Sequence, residues 1–561
     1  MTSSDRRRWW ALGALSLSVL VVALDLFVLT LALPTVSADL HASSGDLQWF
    51  VDAYSLVLAA ALLPAGLLGD RVGRKRLLTG ALVLFGISSL ACAYSTTAGE
   101  LIAARAVLGL AAAVILPMSL AVLPVLFTAD ERPRAIAAVG GATFLGYPIG
   151  PILGGWLLDH YWWGSVFLIN IPVVVIAVAA VALLMPESRG EGRHRVDVTG
   201  IAVSSAGLTS LTYGLIKAGD SGWSDPAAVI TMAVGVAALV GFVAWERRVS
   251  RPRAAGHADG GRPGPRLQPL VDLGLFGSAG FTWGTILTTL VSFALFGLVF
   301  AMPQYFLDVR GFNSLGAGLR MLPMIGGLVI GLVGGQRLQT PRKRPRSQGG
   351  HAAAGAAGTP SATAGPVGPK ALVAIGFAIM AAALAVGTGT TAGSSTGFAA
   401  TWFAVTGLGL GVAMPTALNA AIGALSPARS GSGSALITAM RQVGGTIGVA
   451  VLGTVLATVY RSKLHLSGLP TVAEHAIRAS VAGGVATARA TGSQVLLAAV
   501  RGAYVHGLDI MLWACSGIAI ASAVLALAFL PGRTVPAEPG DSADGRVAPS
   551  TSLLDESRMT P

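Results

Sequence analysis

LLPAGLLGDRVGRKRLLTGALVLF, residues 62–85, sets an octet of charge and glycine between two apolar runs. Each run is long enough to continue as a helix across about 30 Å of hydrocarbon at 1.5 Å per residue. The octet, Gly69-Asp70-Arg71-Val72-Gly73-Arg74-Lys75-Arg76, is therefore read as a tight loop between two membrane helices. The same alternation recurs along the chain. Only 11% of the 561 residues are charged and 53% are hydrophobic, whereas a soluble domain carries roughly 25% charged residues. A chain this long and this poor in charge is expected to be an all-α polytopic membrane protein.

Fourteen apolar runs are long enough to span, the first at 10–34 and the last at 508–531. With the N-terminus on the cytoplasmic side and the helices alternating, cytoplasmic segments hold 28 of the 38 Lys and Arg residues. That bias predicts a multi-pass protein of the cell membrane with both termini cytoplasmic. The net charge of +12 does not suggest nucleic acid, because the basic residues sit in short loops rather than on one surface. Cys92 and Cys515 lie in separate apolar runs, with no disulfide framework or metal cluster implied. No phosphate-binding loop is present.

Domain boundaries follow from the runs and the polar segments between them. Residues 1–185 hold six spans, 186–246 two more, 247–278 a basic linker, and 279–531 the last six. Residues 337–369 and the tail 532–561 are low in complexity and expected to be disordered. Residues 460–507 have helix-like spacing but are too polar to span, so an extracellular helical hairpin is expected there.

Three ionisable residues lie where acids and bases are expensive. At 1.5 Å per residue, Asp25, Asp52 and Arg105 all fall roughly 6–14 Å below the outer surface. They form either a structural ion cluster or a proton-titrating site. Asp25 is the expected proton carrier and Asp52 the expected contact for a cation. In the fifth run, Gly146, Gly150 and Gly154 recur every four residues, with Gly155 following and Pro148 and Pro151 between them. Such a face suits close helix packing. Of the charged octet, the basic residues fix topology, but topology alone does not require Asp70. Aromatic residues within spans, Tyr54 and Tyr147 among them, could stack on a flat or cationic molecule, although most such rings fill helix packing. His506 and Asp509 are expected at the outer mouth, and Arg441 within a span.

These motifs together resemble a known family. GLLGDRVGRKR resembles the signature loop of the major facilitator superfamily, where it latches the cytoplasmic side. GYPIGPILGG resembles the GxxxGPxxGG antiporter motif of its drug exporters. The fourteen-helix count, QWFVDAYSLVLAAALLPAGLLGDRVGRKR, and RQVGGTIGVAVLG from Arg441 to Gly453 are similar to the fourteen-helix drug:proton antiporters. The region 460–507 is similar to their quaternary-ammonium branch. The resemblance implies two six-helix bundles with two helices inserted between them, and proton-coupled export of lipophilic, often cationic, drugs without enzymatic chemistry. It implies Asp25, Asp52 and Arg105 as the coupling or substrate site and Gly69, Asp70, Arg71, Gly73, Arg74, Lys75 and Arg76 as the cytoplasmic gate. Gly146, Gly150, Pro151, Gly154 and Gly155 become the antiporter motif, with Arg441, Tyr54, Tyr147, His506 and Asp509 as further candidates. No cofactor or metal is implied, the proton gradient being the energy source. The expected partners are small-molecule drugs, protons and membrane lipid, with no nucleic acid and a monomeric state. Phe27 and Thr30 replace the usual Thr and Asn of the first-helix motif, and Leu108 the usual Gln of the fourth, so no strict preference for dications is implied. Export of one endogenous antibiotic or metabolite is the alternative use. The excess of Arg over Lys, with abundant Ala and Gly, suggests a bacterial source.

Overall fold

The structure is a computed structural model, which describes residues 3–128, 131–188, 197–250, 273–339, 368–425, 430–464, 466 and 470–531. Among these residues every regular element is a helix. The long ones are α1 (Ser3–Asp39), α2 (Ser44–Val72), α3 (Arg74–Ala93), α4 (Ala98–Ala121), α5 (Arg132–His160) and α6 (Ser165–Leu184). Then come α7 (Val198–Ser221), α8 (Pro226–Ser250), α9 (Ala279–Val309), α10 (Ser314–Gln339), α11 (Pro369–Gly387), α12 (Thr396–Gly423), α13 (Ser430–Lys463) and α14 (Gln494–Phe529). Eleven of them are long and apolar enough to cross a bilayer, judged among the described residues by length and composition. At the other three predicted positions stand α2, α5 and α7, of 29, 29 and 24 residues.

Local chemistry fixes where these helices begin. Ser43 and Asp46 form a capping box at the start of α2, and Thr97 and Glu100 another at the start of α4. Each satisfies backbone N–H groups that the first turn would leave bare. Both boxes lie on the face of the molecule where residues 471–490 sit, the hairpin face.

Helices α1–α6 pack together, with α2 on α4, α1 on α5 and α6, and α3 on α4 and α6. A second group unites α9–α14, with α12 against α9, α10 and α11, and α13 against α9 and α14. The two most extensive pairings between the groups are α2 on α13 and α5 on α10, and α1 also touches α9. α7 and α8 pack on each other through glycines; a Cβ at Gly235 would lie 2.5 Å from the Leu211 nitrogen. In the most apolar window of α8 only 11% of residues are buried, which suits a lipid-facing helix. α7 instead lies against both α2 and α13.

The hairpin is narrower than its sequence suggests. Its helices are Thr471–Ala479 and Val481–Ala490, while α13 runs on to Lys463 and α14 already starts at Gln494. Ser493 caps α14, its Oγ accepting from the Leu496 N–H at 3.2 Å. His506 and Asp509 therefore lie well inside a helix. The chain of the hairpin belongs to the second group, but it reaches the first. Ser44 Oγ donates to the Ala479 carbonyl at 2.5 Å, and Ser37 Oγ lies 3.3 Å from Ser480 Oγ.

A second clasp stands on the same face. The Asp159 carboxylate, at the end of α5, accepts from the Ser314 N–H at 2.9 Å, the Leu315 N–H at 3.2 Å and Asn313 Nδ2 at 2.7 Å. It thereby caps the N-terminus of α10 from the opposite group, where the helix dipole favours negative charge.

The glycines of α5 permit this packing. A Cβ at Gly146 would lie 2.6 Å from Ala23 Cβ on α1, and one at Gly155 would lie 2.6 Å from Leu315 Cα on α10. Pro151 contributes its carbonyl, against which Gly318 packs. Gly146→Leu should destabilise the protein by about 1–3 kcal/mol through overpacking. Thermal unfolding in detergent checks this: the variant should melt lower than the parent, and an unchanged melt would show that α1 can yield.

Candidate functional site

Asp25 and Arg105 meet in the interior of the first bundle. Asp25 is 2% exposed and Arg105 0%, and Arg105 Nη1 lies 2.5 Å from Asp25 Oδ2. The other carboxylate oxygen accepts from Asn170 Nδ2 at 3.1 Å, which also reaches Ser89 Oγ at 3.2 Å. Arg105 Nε donates to the Phe50 carbonyl at 2.9 Å, and its guanidinium lies 4.4 Å from the centre of the Tyr54 ring. Thus α1, α2, α3, α4 and α6 all contribute to one ion pair. Two charges in a dry interior are tolerable only with such complementary bonds.

Asp52 is different. It is 0% exposed, and neither Oδ1 nor Oδ2 has a hydrogen-bond partner. The three residues share a depth, but only Asp25 and Arg105 share a contact. A bare carboxylate in such a place carries its full desolvation cost when ionised.

The charged octet forms a structured corner. Gly69, Asp70 and Arg71 end α2, and the side chains of Asp70 and Arg71 lie outside the described residues. Gly73 sits at φ +111°, a backbone conformation that favours glycine, and a Cβ there would meet Glu187 Oε1 at 2.6 Å. Glu187, following α6, accepts from the Lys75 N–H at 3.2 Å and faces Arg76 Nε at 3.6 Å. Arg74 Nη1 donates to the Ala121 carbonyl at the end of α4, at 2.8 Å. The octet thus ties together α2, α3, α4 and α6.

The Major Facilitator Superfamily profile matches residues 15–449. The chain belongs to that superfamily. It is 30% identical over 537 residues to the multidrug efflux pump LfrA of Mycolicibacterium smegmatis, covering 95% of this chain and 97% of that protein. Against the tetracenomycin C resistance and export protein of Streptomyces glaucescens it is 29% identical, covering 93% and 91%. The methyl viologen resistance protein SmvA of Salmonella typhimurium is 30% identical, at 92% and 97% coverage. Among solved structures, a bacterial homologue of the lysosomal transporter Spinster superposes with a TM-score of 0.61 at 17% identity, covering 95% of this chain and 99% of that one.

Within this superfamily member, the remaining candidates fall in several places. Tyr54 stacks on Arg105 and does not line the gap between the bundles; Tyr147 has a side chain outside the described residues. Gly150 is buried in α5. Arg441 Nε lies 3.5 Å from Ser292 Oγ on α9. His506 is exposed, and Asp509 Oδ1 has no partner. A narrow apolar gap between α1, α2 and α9 is lined by Leu26, Thr30, Val51, Phe296 and Phe300. Sequence reading missed Asn170, Glu187 and Asp159. Asn170 is the one with a recoverable signal, an isolated amide in the apolar run 165–185.

The ion pair can be weighed directly. Arg105→Ala leaves a buried charge alone and should cost about 3–5 kcal/mol. The double variant Arg105→Ala/Asp25→Asn removes that stranded charge and should recover part of the loss. A double-mutant cycle on thermal unfolding measures the coupling, and strict additivity would mean that the pair is not formed.

Proposed function

We propose that this protein is a proton-driven exporter of lipophilic, often cationic, drugs across a bacterial cell membrane. The observation that carries the reading is the contrast between two buried acids, one compensated and one bare. Asp25 is matched by Arg105 and Asn170, while the Asp52 carboxylate has no hydrogen-bond partner among the described residues. The names of the relatives support the substrate class, since they include a multidrug pump and resistance proteins for methyl viologen and tetracenomycin C.

In this reading the cytoplasmic face carries the Gly73 corner and the external face carries the hairpin. Asp52 holds a proton in the state described here, because ionisation would leave an uncompensated charge. Opening of the hairpin face lets water reach it, and opening of the other face lets its proton go inward. Asp25 acts with Arg105 as a fixed charge that senses the rearrangement of α1, α2 and α4. This division departs from the expectation that Asp25 is the carrier and Asp52 the cation contact. A drug moves through the gap between the bundles, past Phe296 and Phe300, whose faces suit a flat cation. The site uses no cofactor or metal and makes no covalent bond, so the protein is a transporter rather than an enzyme. It works as a monomer, with the two bundles rocking about the gap.

Export of one endogenous antibiotic is the other use of the same machinery. The test is drug flux in vesicles alongside drug-induced proton release from purified protein. Asp52→Asn should abolish uphill flux and proton release, while leaving part of the downhill exchange. Asp25→Asn should impair both modes, because Arg105 is then unmatched. Uphill flux sustained by Asp52→Asn would move the proton carrier elsewhere.

A further inference from the structure

We propose that the junction of α2, α13 and the inserted helix α7 is the passage by which protons reach Asp52, and that Gln48, Ser55, Thr446 and Thr212 line it. This rests on the antiport reading, and it assigns the inserted pair a part in the transport cycle.

Helical spacing places the residues. At about 100° per residue, Asp52 lies about 40° from Gln48 on the surface of α2, and Ser55 about 20° on its other side. Gln48 marks what that face meets, because a Cβ at Gly453 of α13 would lie 2.8 Å from Gln48 Cδ. α2 and α13 run in opposite directions. Seven residues inward from that contact, about 10 Å on each helix, come Ser55 and Thr446, both still on the facing sides. α7 closes the third wall. Thr454 Oγ1 donates to the Leu215 carbonyl at 3.0 Å, and Gly219 packs on the same threonine. Thr212, seven residues before Gly219, then lies within a few ångströms of the level of Thr446, eight before Thr454.

All five side chains are buried, at 0–2% exposure. None of Gln48 Oε1, Asp52 Oδ1 and Oδ2, Ser55 Oγ, Thr212 Oγ1 and Thr446 Oγ1 has a hydrogen-bond partner. Native proteins leave few such atoms, and each costs about 1–3 kcal/mol. The hydroxyls are telling. Several buried hydroxyls in this chain, such as those of Thr288, Thr406 and Ser119, satisfy themselves on the carbonyl one turn earlier, while those of Thr285 and Thr390 do not and have no partner either. Those of Ser55, Thr212 and Thr446 do not, although the same carbonyls are available in a helix. Their positions suit partners that arrive when the helices part, and water is the partner that fits a polar, uncharged lining.

The passage has an entrance. Its hairpin end opens on a small cavity lined by Ser44, Gln48, Gln304, Gly453, Tyr460 and Tyr504, one turn outward from Asp52. Charged groups stand at its mouth: Arg461 of α13 donates to the Gly219 carbonyl of α7, and Asp308 lies close enough to Tyr460 and Tyr504 to act on both electrostatically. α13 presents Gly453, Val449 and Thr446, α9 presents Phe300 and Gln304, and α7 presents Thr212, Leu215 and Gly219. Lys217 is about 140° around α7 from Thr212. Arg105 reaches α2 at Phe50, about 160° from Asp52, and is neutralised by Asp25. A proton entering by the cavity passes Asp308 at the mouth, and inward of Gln48 it meets Asp52 as the first carboxyl on α2.

Thr212→Val and Thr446→Val remove the hydroxyl and keep the shape. In reconstituted vesicles each should lower proton-driven drug flux by about tenfold relative to gradient-free exchange, the weight of one hydrogen-bonding group. Equal flux-to-exchange ratios in parent and variants would overturn the passage. A second measurement does not depend on flux. Ser55→Cys and Thr446→Cys should react with an impermeant maleimide added outside intact cells at neutral external pH. Buried Cys92 and Cys515 serve as unreactive controls. Cysteines at 55 and 446 that stay unlabelled would also overturn it. If the parent protein moves no protons with drug, the antiport reading fails, and labelling alone then decides whether this junction admits water.

Discussion

The ion pair between Asp25 and Arg105 is the constraint on which the first bundle depends. One guanidinium draws in a carboxylate from α1, a backbone carbonyl from α2 and an aromatic ring from α2, while Asn170 of α6 holds the far oxygen. Neither charge could be buried alone, so the helices that carry their partners must stay together. α5 supports α1 from behind through Gly146 and Gly154, which allow its backbone to approach Ala23 and Val28. The antiporter-like motif and the buried charge are thus parts of one packing problem. The same helix uses Gly155 and Pro151 to meet α10 across the divide.

Across that divide the chemistry changes. Inside the first bundle the Asp25 carboxylate is matched on both oxygens, although Arg105 Nη2 and Asn170 Oδ1 are not. At the junction of the bundles neither oxygen of Asp52 is matched. On the hairpin face the contacts are short-range and polar, from Asp159 to the start of α10 and from Ser44 and Ser37 to the hairpin. Such contacts can exchange for water with little loss when a face opens. Deeper in, Asp52 and its neighbours lie between α2, α13 and α7 without partners.

The sequence made much of this legible, and the reasons are specific. Depth is readable because a helix advances 1.5 Å per residue, so Asp25, Asp52 and Arg105 could be placed on one level. Azimuth is not readable without knowing which neighbour lies on which side. Asp25 and Arg105 face each other, whereas Asp52 points about 160° away from the Phe50 carbonyl that Arg105 binds. Gly73 announced a turn, but its positive φ and the docking of Glu187 needed coordinates. Glu187 and Asp159 sit at helix ends among ordinary loop residues, where no periodicity marks them. The hairpin boundaries went astray for another reason: residues 494–507 carry Arg501 and His506, so their composition reads as non-spanning although the helix simply projects beyond the apolar stretch. The inserted helices were visible as apolar runs, but that α7 touches both bundles and α8 turns outward is a fact of tertiary packing.

The central claim is that Asp25 is charged and paired while Asp52 is neutral and bare. Infrared difference spectroscopy of the purified protein tests it most directly, because a protonated carboxylic acid in a dry site gives a C=O stretch that an ionised carboxylate lacks. At neutral pH the parent should show one such band that is lost in Asp52→Asn and retained in Asp25→Asn. A band that survives Asp52→Asn and vanishes in Asp25→Asn would contradict the account.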